Sequence, residues 1–430
     1  MKLIRSLQLP SAAFLFLAPA VNLVWRGGTG YSFFALLALA LGAAIANRHT
    51  PGYFAGLRIY RWYTVGMSAF IIAIAVQQTV FHFWLPRQFD ALSRFPLALL
   101  IFLFLRQMPT RHLKSIGWGC VVGAIAVGIA ALIDQPPGGW GDAHRMGNWY
   151  TNPIPFGDTA LLLAFLSLFT LGWDNPPHWR TLVPRLLALL GGGCASIASG
   201  TRGGWLAIPV FVILLAAQYR WFAHKIRFVA LVVVLVLASA ATLSLKPVQQ
   251  RIADVTSDLT MARRGVVGTS IGERQALWEA SGKLFVQHPL YGIGKGHLSD
   301  VLNEMSKQGK SPPEIVNERA HSDFFSTLAE LGLVGVACLF LFYFGISVYF
   351  WRERHATDPT IRAASYAGLA VATSTVIFGL TIDVLVPVMV TSLLALMVAT
   401  LLAVIDARKR ELAAVRQARP LEVQADDIRA

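Results

Sequence analysis

Apolar stretches recur along this chain at a nearly regular spacing. Twelve are predicted as helices, near 10–25, 31–47, 63–85, 93–105, 115–133, 156–173, 182–200, 204–219, 228–245, 325–350, 362–382 and 386–405. Most are long enough to cross the ~30 Å hydrocarbon core of a bilayer at a helical rise of 1.5 Å per residue. The fourth is the shortest. Polar connections between them are brief, with one exception at about 246–323. The pattern predicts an all-α polytopic membrane protein of about twelve transmembrane helices. Residues 1–245 carry nine of them and 246–323 form a large loop with its own helices. Residues 324–406 carry three more, and 407–430 form a polar tail.

The basic residues orient these spans. Arg48, Arg58 and Arg61, then Arg106, Arg111 and Lys114, then Arg180, then Arg220, Lys225 and Arg227, then Arg352, Arg354 and Arg362 fall in alternate connections. Arg408, Lys409 and Arg410 follow the last span. In the short connections on the other side, Arg26, Arg87, Arg94, Arg145 and Arg202 are thinly spread. The positive-inside rule puts the richer set, and both termini, in the cytoplasm. The long 246–323 loop then faces outside. No small-x-small cleavage site leads into a soluble domain, so the first apolar run reads as a span.

Composition agrees. Of the 430 residues 55% are hydrophobic and 14% charged, and the mean hydropathy is +0.56. A soluble domain carries about 25% charged residues. The net charge of +14 would suggest nucleic acid in a soluble protein. Here the loop arginines explain it, and membrane lipids rather than nucleic acid are the expected surroundings. Cys120, Cys194 and Cys338 lie in apolar runs and read as buried thiols, not as a disulfide or metal set.

Within the long loop, Ser270 and Glu273 stand at capping-box spacing. The following "ERQALWEASGKLFVQ" reads as a helix that stops at His288-Pro289 and Gly292. "YGIGKGH" (Tyr291 to His297) alternates glycine with other residues. It is no Walker motif, because no Lys-Ser/Thr pair follows the last glycine. It reads first as a tight turn, with Lys295 and His297 as candidates for a substrate site.

Three residues invite chemistry more directly. His321 precedes a long apolar helix that carries Gly332 and Gly335. Those glycines, one turn apart, would admit a neighbouring helix closely and make a rigid post for the imidazole. Imidazole is the side chain best suited to take a proton near pH 7. Arg202, in "SGTRGGWLA", occupies a short outside turn flanked by glycines. A guanidinium there is a permanent planar fork for phosphate. Arg274 lies near the start of the loop helix, where a cation is locally disfavoured and a diphosphate ligand would explain it. Arg145, with Trp149 and Tyr150, offers charge and stacking faces in a second outside loop. For each alone, a capping, snorkelling or interfacial role is the simpler account.

Several chemistries find no support. The chain has no Cys/His metal spacing, no H-E-x-x-H, no G-x-S-x-G and no outside Asp-x-Asp. Intramembrane acids are few, with Asp158 and Asp383 near span ends and Glu330 in a helix expected to start above the membrane, which weighs against an ion-coupled transporter.

His321-Ser322, nine intervening residues, then Gly332-Leu-Val-Gly335 resembles the histidine signature of bacterial O-antigen ligases. "GERQALWEASGKLFVQHPLYGIGKGH" and "SGTRGGWLA" resemble the large periplasmic loop and the arginine turn of the wider ligase and polymerase superfamily. The resemblance implies a C-type glycosyltransferase-like fold in the bacterial inner membrane, with the site facing the periplasm. It implies transfer of O-antigen glycan from undecaprenyl diphosphate to a sugar hydroxyl of lipid A–core, with inversion and without metal or cofactor. By the same resemblance His321 is the general base and Arg202 and Arg274 bind the diphosphate. Sibling O-antigen polymerases and protein O-oligosaccharyltransferases share much of the signature. A lipid or solute transporter is the alternative from another class.

Overall fold

A computed structural model describes residues 6–141, 144–174, 178–226, 267–316 and 318–429, with isolated positions between 229 and 261. For 418–429 it describes the helix backbone alone. The span expected at 228–245, and most of the loop from 246 to 266, lie outside the described residues.

The protein is an all-α polytopic membrane protein. Helices of ten residues or more are numbered here in chain order. They are α1 (Gln8–Ala20), α2 (Gly28–Ala46), α3 (Arg61–Val80), α4 (Arg87–Leu105), α5 (Ser115–Ile133), α6 (Pro153–Phe169) and α7 (Trp179–Ala198). There follow α8 (Ala207–Gln218), α9 (Ser270–Gln287), α10 (Leu298–Lys307), α11 (Asp323–Glu353), α12 (Pro359–Gly379) and α13 (Val388–Arg429). Among the described residues nine helical segments are long and apolar enough to cross a membrane, with two shorter apolar ones, Gln8–Ala20 and Gly203–Gln218. Each coincides with an expected span. The fourth helix begins at Arg87, earlier than the apolar run suggests.

Local sequence explains several starts. Asn152 caps α6 by accepting from the Ile154 N–H, with Pro153 in the first turn. Asp358 caps α12 from both Thr360 and Ile361, again followed by proline. These are the residues that satisfy free N–H groups and pre-set φ at a helix start.

Helices α6 and α12 and the apolar first half of α13 form the middle of the bundle and are mostly buried, whereas α7 is largely exposed. Glycines set the closest crossings. A side chain at Gly66 on α3 would run into the backbone of Gly345 on α11, and the converse holds. Gly128 on α5 meets Gly191 on α7, and Gly192 meets the Ala160 carbonyl on α6. Gly191 and Gly192 of the triple glycine at 191–193 therefore serve helix packing. Cys194, expected to be buried, instead lies exposed on α7.

Helix α11 departs from expectation. It is broken at Gly332 (φ 61°, ψ −151°). The orphaned groups on either side pair with the 289–294 turn. Ile293 N–H donates to the Ala329 carbonyl (3.0 Å) and Gly294 N–H to Glu330 (3.1 Å). In return Leu333 N–H donates to Pro289 (2.8 Å) and Val334 N–H to Leu290 (3.2 Å). Gly332 thus admits a loop backbone, not a neighbouring helix. The post beneath His321 is two helical pieces with a turn wedged between them.

That turn belongs to a small head formed by α9, α10 and a 3-10 turn at Pro313–Ile315. Its own core is built from Leu277, Leu284, Leu298, Leu302 and Ile315. At the opposite end α13 does not stop near 405 but continues to Arg429. Its Asp406 accepts from Arg106 (2.9 Å) and from the Tyr60 hydroxyl (3.0 Å). Arg408 pairs with Asp358 at 3.0 Å.

Candidate active site

The arginine turn after α7 is compressed from several sides. Gly200 has a positive φ of 67°. Ser199 and Thr201 hydroxyls hydrogen-bond each other. Both crowd Gly157 of α6, where any side chain would collide with them. Gly203 packs against Thr381, in the connection from α12 to α13, and Gly204 lies against the Asp158 carboxyl. Small residues are needed here because the α6 backbone and the turn approach within contact distance.

Arg145 reaches the same turn from the 144–152 loop. Its Nε donates to the Ser199 carbonyl (2.8 Å), and Met146 N–H donates to Ala198 (2.9 Å). A cation at the C-terminal end of α7 complements the helix dipole.

Helix α9 supplies the third arginine. Its cap is Thr269, which accepts from Gly272 N–H at 3.1 Å. Ser270 therefore opens the helix instead of capping it, and the box expected with Glu273 does not form. The earlier start puts Arg274 at the beginning of the second turn.

Arg145, Arg202 and Arg274 all border one cavity of about 210 Å³, with Ser270, Thr201 and Thr381 among its other walls. Burial lowers the Arg274 pKa first, then the Arg145 and Arg202 charges, against the opposing pull of Glu273 and Asp158. The cations are close enough to repel one another. Such a group is stabilised by an anion between its members.

His321 is not a wall of this cavity but stands on a segment tied to its edges. The Trp278 indole of α9 donates to the Ala320 carbonyl at 3.0 Å and stacks on Phe325. The Ser322 hydroxyl donates to Gly379 at the end of α12 (3.3 Å). His321 itself has φ 50°, left-handed backbone for a non-glycine residue, immediately before the helix cap Ser322. Its Nε2 lies 3.1 Å from the Glu318 carboxylate. Glu273, next to Arg274 in sequence, links the two centres. Its pKa is raised by burial first and then by Glu318, and pulled back by His321 and Arg274.

The remaining candidates sit elsewhere. Lys295 is locked 2.5 Å from Glu330 of α11, and Gly296 N–H donates to the same carboxylate. Gln77 of α3 staples this turn by accepting from Lys295 N–H (2.9 Å) and donating to the Glu330 carbonyl (2.7 Å). Gly292, Gly294 and Gly296 all have positive φ, which accounts for the glycine spacing without a phosphate. His297 packs edge-on against Phe83. Tyr150 buries its hydroxyl, which pushes that group's pKa up. None of Lys295, His297 and Tyr150 borders the arginine cavity.

Sequence reasoning missed the Glu318 contact to His321. Its i, i+3 spacing would have suggested one on a helix, but the segment is irregular. Ser270 and Asp158 stood out only as a helix cap and an acid near a span end, and Thr381 carries no local signal.

Residues 186–340, which contain Arg202, Arg274 and His321, match the family model described as O-antigen ligase. Over that segment the chain is similar to the O-antigen ligase and polymerase superfamily. An uncharacterized protein of Haemophilus influenzae is 22% identical over 294 residues, covering 66% of this chain and 71% of that one. The O-antigen ligase of Escherichia coli K12 is 23% identical over 158 residues, 36% of this chain and 38% of the relative. O-antigen ligase or polymerase-type activity is what this superfamily supports. Arg145 lies outside the matched segment and reaches the cavity only through the fold.

Proposed function

We propose that this protein transfers O-antigen polysaccharide from undecaprenyl diphosphate to a sugar hydroxyl of lipid A–core, at the periplasmic face of the inner membrane. One observation carries the reading. Arg202 and Arg274, from distant parts of the chain, border a single cavity with Arg145. The His321 segment is hydrogen-bonded to the helices on either side.

The chemistry follows from those groups. The anomeric C–O bond to the diphosphate breaks as the acceptor oxygen attacks from the opposite face, so configuration inverts. The bonding electrons leave with the diphosphate, whose growing charge meets guanidinium groups fixed in advance. The acceptor's proton passes to His321. With Nε2 held by Glu318, Nδ1 is the nitrogen left to accept it. Three permanent cations supply the leaving-group stabilisation that a metal supplies elsewhere.

The test is reconstitution of purified protein with lipid-diphosphate glycan and lipid A–core, in the presence of a chelator. A lipopolysaccharide product is expected. Longer lipid-linked glycan without ligation would make the protein a polymerase, and no transfer at all would overturn the enzymatic reading.

A further inference from the structure

His321 holds a backbone conformation, φ 50°, that non-glycine residues adopt infrequently. That angle is the rotation between the histidine Cα and the peptide carrying the Ala320 carbonyl. The imidazole keeps its place only if this peptide is pinned. Ala320 is fully buried, and its carbonyl accepts the Trp278 indole N–H at 3.0 Å. The indole is itself confined, lying flat on Phe325 of α11 with ring centroids 4.9 Å apart and planes 12° from parallel. Beyond His321 the chain is pinned twice more. The Ser322 hydroxyl donates to the Gly379 carbonyl (3.3 Å), and the Asp323 carboxylate accepts from Leu385 N–H (3.2 Å).

Trp278 follows Arg274 by four residues on α9, so the two side chains leave the same face of the helix. Arg274 borders the arginine cavity, and Trp278 grips the peptide before His321. One helix face thus carries a wall of the cavity and the tether of the imidazole. His321 is no wall of that cavity, so its distance from a bound donor depends on such tethers. Apolar packing on Phe325 needs only an aromatic ring. A hydrogen bond to a buried carbonyl needs the indole N–H, is directional, and is costly to leave unmade.

We propose that Trp278 is a positioning residue for the transfer reaction: its indole N–H fixes the peptide that sets the left-handed backbone of His321, and so couples the imidazole to the helix that carries Arg274. Trp278 touches no substrate in this scheme. The proposal rests on the general-base reading of His321.

The experiment uses the full-length purified protein in the reconstituted transfer assay. Trp278→Phe keeps a ring against Phe325 and removes the N–H. Its kcat should fall about 10–100-fold, the cost of a misplaced catalytic group, with the donor KM unchanged. Inorganic pyrophosphate, the probe of the arginine cavity, should inhibit it as it inhibits wild type. The deciding measurement is the double variant. In a His321→Asn background, Trp278→Phe should slow the residual rate by less than about twofold, because two residues that act as one unit are not additive. A merely structural role would slow both backgrounds alike. Losses that multiply, or weakened pyrophosphate inhibition, overturn the proposal. If Trp278→Phe lowers the unfolding temperature, the benzothiophene analogue of tryptophan at position 278, which lacks only the N–H, must give the same pattern. The two layers separate cleanly. If His321→Asn alone transfers at the wild-type rate, the base reading fails and the tether with it. If His321→Asn is slow but Trp278→Phe is not, only the tether fails.

Discussion

Glu318 holds His321 by its Nε2 at 3.1 Å, while the backbone of His321 is in the left-handed region at φ 50°. The two facts together orient the imidazole. Asparagine tolerates left-handed backbone at least as well as histidine does. His321→Asn should therefore fold with a wild-type unfolding temperature and lose about 10²–10⁴-fold in turnover, the usual worth of a general base. Glu318→Gln keeps an acceptor oxygen but no charge and should lose only about tenfold, on the scale of partners that orient a histidine. A single-turnover assay distinguishes the two; equal losses would mean that Glu318 does more than orient.

Arg202 tests geometry against charge. Its turn is confined by Gly203 against Thr381 and by Gly204 against Asp158, so the side chain has few alternative placements. Lysine keeps the charge but not the planar fork. Arg202→Lys is expected to lose nearly as much activity as Arg202→Ala in the reconstituted assay. Full activity in the lysine variant would show that charge alone matters.

Lys295 and Glu330 form an ion pair in which both side chains are almost fully buried. Removing one partner strands the other. Lys295→Met should destabilise by about 3–5 kcal/mol, and Lys295→Met with Glu330→Gln should recover much of it. Thermal unfolding in detergent checks this. If instead Lys295→Met unfolds normally but loses donor affinity, Lys295 belongs to the site after all.

The three glycines at 191–193 should respond differently to alanine. A Cβ at Gly191 or Gly192 would lie 2.6 or 2.5 Å from a carbonyl of the facing helix, whereas at Gly193 it meets nothing within 4 Å. Gly193→Ala should be neutral or stabilising by up to about 1 kcal/mol, since alanine is the better helix former. Gly191→Ala and Gly192→Ala should each destabilise, as backbone must move. Gly332→Ala should fare worse still. It combines φ 61° with a Cβ 2.7 Å from the Gly292 nitrogen.

Glu273 carries the pH prediction. Its folded pKa is raised by partial burial and by Glu318. A carboxyl with a raised pKa favours the fold while protonated, below the ordinary carboxylate range, and that contribution is lost as pH rises through the folded value. Glu273→Gln should therefore unfold at a higher temperature than wild type near pH 7, with the difference vanishing near pH 4. A difference that grows on acidification would reverse the assignment.

The bundle was legible because its signal is local. Each membrane-spanning helix must satisfy its own backbone in lipid, so length and hydropathy alone mark it. Arg202, Arg274 and His321 stood out because charge and imidazole at span ends are unusual and their spacing resembles a known signature. The Ser270 cap was misplaced by one residue, because serine is the somewhat better capping residue and the local preference therefore pointed past Thr269. The role given to Gly332 was wrong for a different reason. A glycine that lets a helix approach and one that lets a loop enter look identical in sequence.

By itself the sequence located the eleven apolar helices found among the described residues. Their positions depend on each segment's own exchange with water and lipid. Only the tertiary structure decided that Arg145 joins Arg202 and Arg274, that Lys295 is withdrawn into an ion pair, and that Asp158 underlies the arginine turn. Such pairings depend on helix crossings set by a few glycines far apart in the chain, and no local energetic preference encodes which crossing brings which charge to which cavity.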